Sequence, residues 1–500
     1  MNKRLLLGVF ILSALLLFAG CGKRGAPAAP SQTDANGRYQ EPVTITVVGA
    51  YSQKVGSELP PDVTPQNQSF VKAALDTYNI DIKYLWTCPP DQFEQKMGVA
   101  MASGDLPDVM RLDVRQYELL RDGGQLADLT GALDAAGEKF RSFLYKNPDV
   151  MERMRVDGKV YAIPQYWDSK RNLDLMYIRT DWLKNLGMRV PETAEELKTV
   201  AAAFSKNDPD QNGRADTVGI AMARGVDAWM CDIKGYFASL NSYPKKWLSD
   251  GAGGVAAGET LPETKDALRF MRELYQSGAI DKEFIIKDED KITEEIIAGR
   301  YGIVYGPWHQ FSAYLAKAVE NNPGAKWEAF PIPGTDGTGK AVIDRLTIDN
   351  YTVVNKNCAN PEAVIRLMNL FIDFTPGNFG DMATPAGGFA WDWVTTTYYD
   401  PYDIDTKYDK MNKAIEEGAE AAGPMDADER DVYDRYLAYN RYLAGEEQFN
   451  AEKFGYIYAC ISSGGSWNTT REIFNGGHYV FNEISGLTTQ SYQDKGATLD

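Results

Sequence analysis

Histidine and cysteine are scarce in this chain. Of 500 residues only two are histidine, His309 and His478, and five are cysteine. Two histidines exclude chemistry built on several imidazoles. The cysteines, Cys21, Cys88, Cys231, Cys358 and Cys460, form no CxxC pair, which removes zinc-ribbon and thioredoxin-like motifs. No P-loop, HExxH or nucleophile elbow is present. Positive charge is in deficit: 52 Lys and Arg stand against 70 Asp and Glu, a formal net charge of −18. That balance excludes nucleic acid as a partner and argues against an electrostatic membrane patch. After the first twenty residues no apolar run is long enough to span a bilayer. With 44% hydrophobic residues and a mean hydropathy of −0.38, the chain is nonetheless a folded, globular one, and its length suggests more than one lobe.

What is present begins at the N-terminus. Lys3 and Arg4 precede LLLGVFILSALLLFAG and then Cys21. A positive start, a short apolar run and small residues before the cut make residues 1–20 a secretory signal peptide. Ala19-Gly20-Cys21 resembles a bacterial lipobox, in which the cysteine is lipidated and becomes the mature N-terminus; Phe18 stands where leucine is usual. Residues 21–41 are rich in Gly, Ala, Pro, Ser and Gln and have no apolar period, so they read as a flexible tether. Such a chain is anchored to a membrane through its N-terminal lipid and does not cross it. In an exported protein the other four cysteines leave room for one or two disulfides, which spacing does not pair.

Strand and helix patterns alternate along the body of the chain. VTITVVGA (43–50), IDIKYLW (80–86), DVMRLD (108–113) and GRYGIVYG (299–306) read as strands. Residues 67–79, 91–104 and 361–374 read as helices, with Gly104 as a C-terminal cap and Pro361 in a first turn. PETAEELKTVAAAFS (191–205) is amphipathic, with Leu197, Val200, Ala201 and Phe204 on one face and a capping box at Thr193 and Glu196. Alternation of this kind predicts α/β layers around mainly parallel sheets. After residue 390 the pattern turns helical and aromatic. Tyr433, Tyr436, Tyr439 and Tyr442 fall at helical spacing, which favours packing over a binding stripe.

MASGDLPDV (101–109) resembles the signature of bacterial extracellular solute-binding proteins of sugar ABC transporters. GGQLADLTGAL (123–133), DGKVYAIPQ (157–165), YIRTDWLKNLGMRVPETAEEL (177–197), IIAGRYGIVYGPWHQF (296–311) and AFPIPGTDG (329–337) follow in the order that family shows. The ordered series resembles most closely the large lipoproteins with a calcium-type loop after the PETAEEL helix. The resemblance implies a type II periplasmic-binding-protein-like fold, two α/β lobes joined by hinge strands, with helical C-terminal additions. It divides the body into 42–168 as the first part of lobe 1, 169–346 as lobe 2, and 347–500 as the rest of lobe 1 with the helical region; the family normally continues past the point corresponding to Asp500. It also implies a receptor that binds a carbohydrate, an oligosaccharide in many members, and hands it to ABC transporter permease subunits without catalysis, on the outer face of a Gram-positive cell. A secreted glycoside hydrolase, or a binder of peptides or other small solutes, is the alternative.

Sugar recognition needs flat aromatic faces against C–H surfaces and short polar side chains for hydroxyls. In open α/β sheets ligands lie beyond the carboxyl ends of strands. Those two requirements select Trp86, Asp113, Tyr166, Trp167, Asp168, Trp229, Trp308, Trp391, Asp392 and Trp393 as candidates, with core packing as the competing use of each ring. Arg115, Lys170 and Arg171 read as solvated charges rather than as readers of an acidic sugar. NDPDQNGRADT (207–217) carries EF-hand spacing: Asp208, Asp210, Asn212 and Asp216 at positions one, three, five and nine, Gly213 at six, and the Arg214 carbonyl at seven. Position twelve is Gly219, not Glu, so Thr217 or water must complete the shell. The loop is expected to hold a structural Ca²⁺; an Asx-rich turn without metal is the alternative.

Overall fold

The computed structural model describes residues 31–50, 56–57, 59–135, 138–225, 230–345, 347–373, 382, 393–425 and 427–484. Cys21, Trp229, Trp391 and Asp392 lie outside the described residues. The main strands, in chain order, are β1 (Val43–Ala50), β2 (Ile80–Cys88), β3 (Val109–Leu112), β4 (Ala162–Trp167), β5 (Leu175–Arg179), β6 (Val218–Ile220), β7 (Tyr301–Gly306), β8 (Trp327–Phe330), β9 (Ala341–Asp344), β10 (Thr347–Val354) and β11 (Tyr479–Asn482). The helices used below are α1 (Ser69–Tyr78), α2 (Pro90–Ser103), α3 (Val114–Asp122), α4 (Ala194–Lys206), α5 (Ala363–Asp373), α6 (Asp403–Glu417), α7 (Ala427–Leu443), α8 (Ala451–Cys460) and α9 (Ser466–Asn475).

Local chemistry sets these boundaries. α1 stops at Asn79, which takes a left-handed φ of 59°. α2 stops at Gly104 at φ 77°, a conformation glycine adopts without a Cβ penalty. Thr193 caps α4 by accepting the Glu196 N–H at 3.3 Å, while the Glu196 carboxylate reaches back to the Glu192 N–H at 2.8 Å. Leu197, Val200, Ala201 and Phe204 then face inward, as their spacing requires.

Nine of these strands build the two main sheets, and β9 pairs with β11 apart from them. The first has the order β2-β1-β3-β10-β4. β1, β2 and β3 are parallel, and β10 runs antiparallel to both β3 and β4. The carboxyl ends of β1, β2, β3 and β4 therefore share one edge. The second sheet has the order β8-β5-β7-β6, with β5 antiparallel to its neighbours and β7 parallel to β6. Each sheet supports its own core. The first gathers Ile45, Val47, Met110, Ile163, Val353 and Leu367. The second gathers Met176, Ile178, Trp182, Phe204, Ile303 and Tyr305.

The C-terminal helices correct one expectation. The sequence reading placed them with the first lobe, yet Ile404, Met411, Tyr439, Phe454, Ile457 and Trp467 are buried in the second core. Their amphipathic faces cover the apolar segment 311–319, together with the helix Glu289–Ile297. The tyrosine stripe is part of this packing: Tyr442 stacks on Phe454 at 5.8 Å and Tyr439 meets the same ring edge-on at 5.6 Å. β11 pairs in parallel with β9, tying the end of the described chain to the same body.

Among the described residues the chain passes between the two cores from β4 to β5 through the turn Ser169–Asn172, from β9 to β10, and from Tyr398 to α6. These passages are bonded to one another. The Ser169 hydroxyl donates to the Arg345 carbonyl at 3.2 Å, and the Asp168 N–H donates to the Pro401 carbonyl at 3.2 Å. Cys88, Cys231, Cys358 and Cys460 are all buried and none is in a disulfide, which corrects the disulfide expectation. Burial pushes the Cys358 thiol up to about 12, so it is an apolar filler rather than a nucleophile.

Candidate ligand-binding site

The carboxyl edge of the first sheet meets the second body at Trp167. This residue ends β4, and alternation along the strand sends its neighbour Tyr166 to the opposite face. Tyr166 is 1% exposed; its hydroxyl donates to the Phe143 carbonyl at 3.0 Å and accepts the Asn147 N–H at 3.1 Å. It is a core residue, and its selection as a ligand contact is corrected: both its ring and its hydroxyl are used by the fold. Trp167 is half-buried. Its indole N–H donates to Asp349, and its ring stacks on Tyr399 at 5.7 Å. A register shift in β10 between Ile348 and Asn350 marks Asp349 as a bulge residue, and the bulge turns its carboxylate toward Trp167.

Arg171 joins the two bodies at this point. Its guanidinium lies 4.0 Å from the Trp167 ring centre and 5.8 Å from that of Trp308. Trp308 follows β7 directly and packs edge-on against Trp467 of α9 at 6.1 Å. Both tryptophans therefore sit where strand ends of separate sheets approach each other, and one cation bridges them.

Acidic residues hold the cations in place. Arg171 donates to Asp403 at 2.7 Å. The Lys170 ammonium is bound to Asp405 and lies 2.9 Å from Asp168. The Trp467 indole donates to the other oxygen of Asp405 at 2.9 Å. Burial pushes the Asp168 carboxyl above its usual range, against the pull of Lys170. Burial does the same to Asp349, opposed by Trp167, Arg171 and Arg111. Burial works against the Lys170 charge, yet Asp405 and Asp168 outweigh it and hold that ammonium protonated above its ordinary value. Lys170 and Arg171 are thus paired and half-buried, not the solvated charges that the sequence suggests.

The remaining candidates separate. Asp113 follows β3 on the same sheet edge and caps α3, accepting the Gln116 N–H at 2.8 Å. Trp86 lies near the carboxyl end of the edge strand β2, with its ring against Phe93 at 5.7 Å and Lys96 at 4.7 Å. Trp393 is 1% exposed inside the first core, which corrects its selection: the ring is buried among β-sheet side chains, out of reach of any solute. Asp349, Tyr399, Asp403, Asp405 and Trp467 were not selected from sequence. Trp167 and Asp349 are 182 residues apart, Arg171 and Asp403 232, and no local pattern links them.

The 207–217 loop is knit by its own side chains. Asp208 accepts the N–H groups of Asn212 and Gly213, each at 3.0 Å, and the Asn212 carboxamide donates to Asp210 at 2.8 Å and Asp216 at 3.3 Å. Burial first, then Asp208 and Asp216, push the Asp210 carboxyl above its ordinary range, and Asp210 Oδ1 is buried without a hydrogen bond. Thr217 is corrected as a ligand: its hydroxyl turns inward and donates to the Phe204 carbonyl at 2.7 Å. Position twelve explains itself. Gly219 lies on β6, and a Cβ there would meet the Ala201 carbonyl oxygen of α4 at 2.3 Å, so a glutamate cannot stand at that point. Among the described residues no three His, Cys, Asp or Glu converge at metal-binding spacing.

Comparison with known proteins gives the following. The family described as bacterial extracellular solute-binding protein matches residues 61–373. Lipoprotein LipO of Bacillus subtilis (strain 168) is 28% identical over 371 residues, which is 70% of this chain and 68% of the relative. The polygalacturonan/rhamnogalacturonan-binding protein YtcQ of the same organism is 28% identical over 249 residues, 48% of this chain and 47% of the relative. Among solved structures, the S. pneumoniae ABC-transporter substrate-binding protein FusA, as an EF-hand mutant in complex with fructo-nystose, aligns at a TM-score of 0.56 and 17% identity, covering 92% of this chain and 100% of that one. That likeness is one of fold.

Proposed function

Because this chain belongs to the family of bacterial extracellular solute-binding proteins, we propose that it is a receptor that captures an oligosaccharide between its two bodies and delivers it to the permease subunits of an ABC transporter. The family is one of binding proteins, so the glycoside-hydrolase alternative is set aside. The observation that carries the sugar reading is the meeting of Trp167 and Trp308, from separate sheets, across a single guanidinium. Two indoles give apolar faces for pyranose or furanose C–H surfaces, and the surrounding carboxylates give acceptors for hydroxyls. Three linked passages at the same place supply a pivot, so closure of one body on the other can enclose the ligand. The relatives point the same way: one is a polygalacturonan-binding protein and one was solved with fructo-nystose.

The lobes in this proposal are residues 42–168 with 347–398, and residues 169–346 with the C-terminal helices. Trp167, Asp168, Trp308 and Asp349 form the centre of the site, with Trp86 and Asp113 farther along the same sheet edge and Trp229, Trp391 and Asp392 as further sequence candidates. Asp208, Asp210, Asn212, Asp216 and the Arg214 carbonyl would hold a structural Ca²⁺ if drawn closer together than they stand here, and the ion would neutralise the carboxylates that act on Asp210. Cys21 carries the lipid that keeps the protein on the outer face of a Gram-positive cell membrane.

A melting-shift screen against oligosaccharides tests the central reading. A cognate sugar raises Tm without release of new reducing ends. A broad panel that leaves Tm unchanged, or any sugar that is cleaved, overturns it. Chelation should lower Tm in the parent chain and leave a paired Asp208→Ala, Asp210→Ala variant unaffected. Replacement of Cys21 by alanine should release the protein into the medium.

A further inference from the structure

We infer that the site between the two bodies takes uncharged oligosaccharides and rejects uronates, because its cations are already bound to its own carboxylates. The inference rests on the carbohydrate reading above and names the substrate class within it.

The charged groups that face Trp167 and Trp308 most directly come from several elements. The cations are Arg111 of β3, Lys170 and Arg171 of the β4–β5 turn, and Arg471 of α9. Arg171 is held by Asp403 at 2.7 Å, and Lys170 by Asp405 and by Asp168 at 2.9 Å. Arg471 sits 2.7 Å from Asp409 and 3.7 Å from Asp405. Arg111 acts on Asp349. Among these named groups five carboxylates, Asp168, Asp349, Asp403, Asp405 and Asp409, stand against four cations, three of which are held in ion pairs. A uronate oligomer entering this space brings one negative charge per acidic ring. Each charge must shed water and then either break an existing ion pair or face an excess of like charge.

A neutral glycan meets the opposite situation. Its hydroxyls are donors, and the site offers carboxylate oxygens as acceptors, Asp349 beside Trp167 first among them. Its C–H faces suit the indoles. The Arg171 guanidinium resting on the Trp167 ring can move along that face while Asp403 retains its charge, so opening the indole to a sugar leaves no cation unneutralised. Neutral selection is thus a property of how the acids of α6 hold the basic turn, residues that share no stretch of sequence.

Calorimetric titration of the purified mature chain tests this with a panel of neutral oligosaccharides of three to five rings, trigalacturonate, and the fully methyl-esterified trigalacturonate that keeps the rings but removes the charge. The expected result is binding by at least one neutral sugar, with every uronate at least about tenfold weaker than its neutral counterpart. Neutral affinity should change less than about twofold between low and physiological salt. The Asp403→Asn, Asp405→Asn variant, which leaves Arg171 and Lys170 with less compensation, should bind trigalacturonate about tenfold tighter than the parent does. If trigalacturonate binds the parent as tightly as its ester or any neutral sugar, the charge inference fails and the carbohydrate reading stands. If no member of the panel binds, the carbohydrate reading fails and takes the inference with it.

Discussion

Among the described residues, two multi-residue clusters of buried charge differ in what surrounds them. One is enclosed in the second body. The Lys287 ammonium lies 2.8 Å from Asp281 and 2.7 Å from Glu295, and Arg300 lies 2.9 Å from Asp281. The Tyr301 hydroxyl donates to Glu295 at 2.9 Å. Every partner falls between residues 281 and 301, and the cluster pins the start of β7 to the helix before it. The other cluster is built from segments running from Asp168 to Arg471 and lies against two tryptophans at the meeting of both bodies. The ion pairs themselves look alike. What sets the second cluster apart, and makes it the proposed ligand site, is the company of aromatic faces at the meeting of the two bodies. An ion-pair network alone would have been poor evidence for a site.

The comparison can be broken by substitution. The largest effect is expected from Lys287→Met, which leaves Asp281 and Glu295 buried with less positive charge. It should cost about 3 kcal/mol or more of stability in chemical denaturation, while ligand affinity in the folded protein changes less than about twofold. Equal losses of binding and stability would erase the distinction. Trp167→Ala should do the reverse. Loss of a stacking face should weaken ligand binding by roughly tenfold to a hundredfold, about 1.4 to 2.7 kcal/mol, in calorimetry. Stability should change far less than in Lys287→Met.

Tyr166→Phe separates adjacent residues of one strand. Removing its hydroxyl should cost about 1 kcal/mol of stability through the lost bond to Phe143, with unchanged ligand affinity. A binding defect there would return Tyr166 to the site. The smallest effects are in the acid range. Burial works to raise the Asp281 carboxyl, but Lys287, the Glu283 N–H, Arg300 and Tyr301 outweigh it and hold it below 3.8. Its stabilising effect is present above that value and is lost as pH falls through the lowered pKa. Burial holds Asp349 above 3.8, so its ionisation opposes folding and stability falls as pH rises through its raised pKa. Asp281→Asn should flatten the limb below 3.8, and Asp349→Asn the opposite slope above it, in denaturation curves taken at a series of pH values.

Much of the scaffold was legible in the residues. The helix from Ala194 to Lys206, the strand from Tyr301 to Gly306 and the Gly104 cap follow from period, capping chemistry and φ preference, which are local. Trp167 does end its strand, because strand-end position can be read from a pattern. Tyr166 was selected for the same reason and Trp393 as part of a loop after a glycine pair, and both prove buried, because local pattern does not say which face of a strand or loop meets the core. The EF-hand spacing was visible, yet the reason for its missing glutamate was not: Gly219 lies against the backbone of α4.

The sequence by itself determined the order of the main helices and strands, the place of Trp167 at the end of one strand and of Trp308 just after another, the acidic balance and the ordered segments that mark a two-body binding fold. These depend on spacing over a few residues, which the chain carries at every point. Only the tertiary structure decided that the C-terminal helices cover the second core, that Tyr166 and Trp393 are interior, and that Asp349, Asp403, Asp405 and Trp467 meet at Trp167 and Trp308. Those outcomes depend on which apolar faces find one another across hundreds of residues and on which charges can be neutralised once water is excluded, and neither is written in any short stretch of chain.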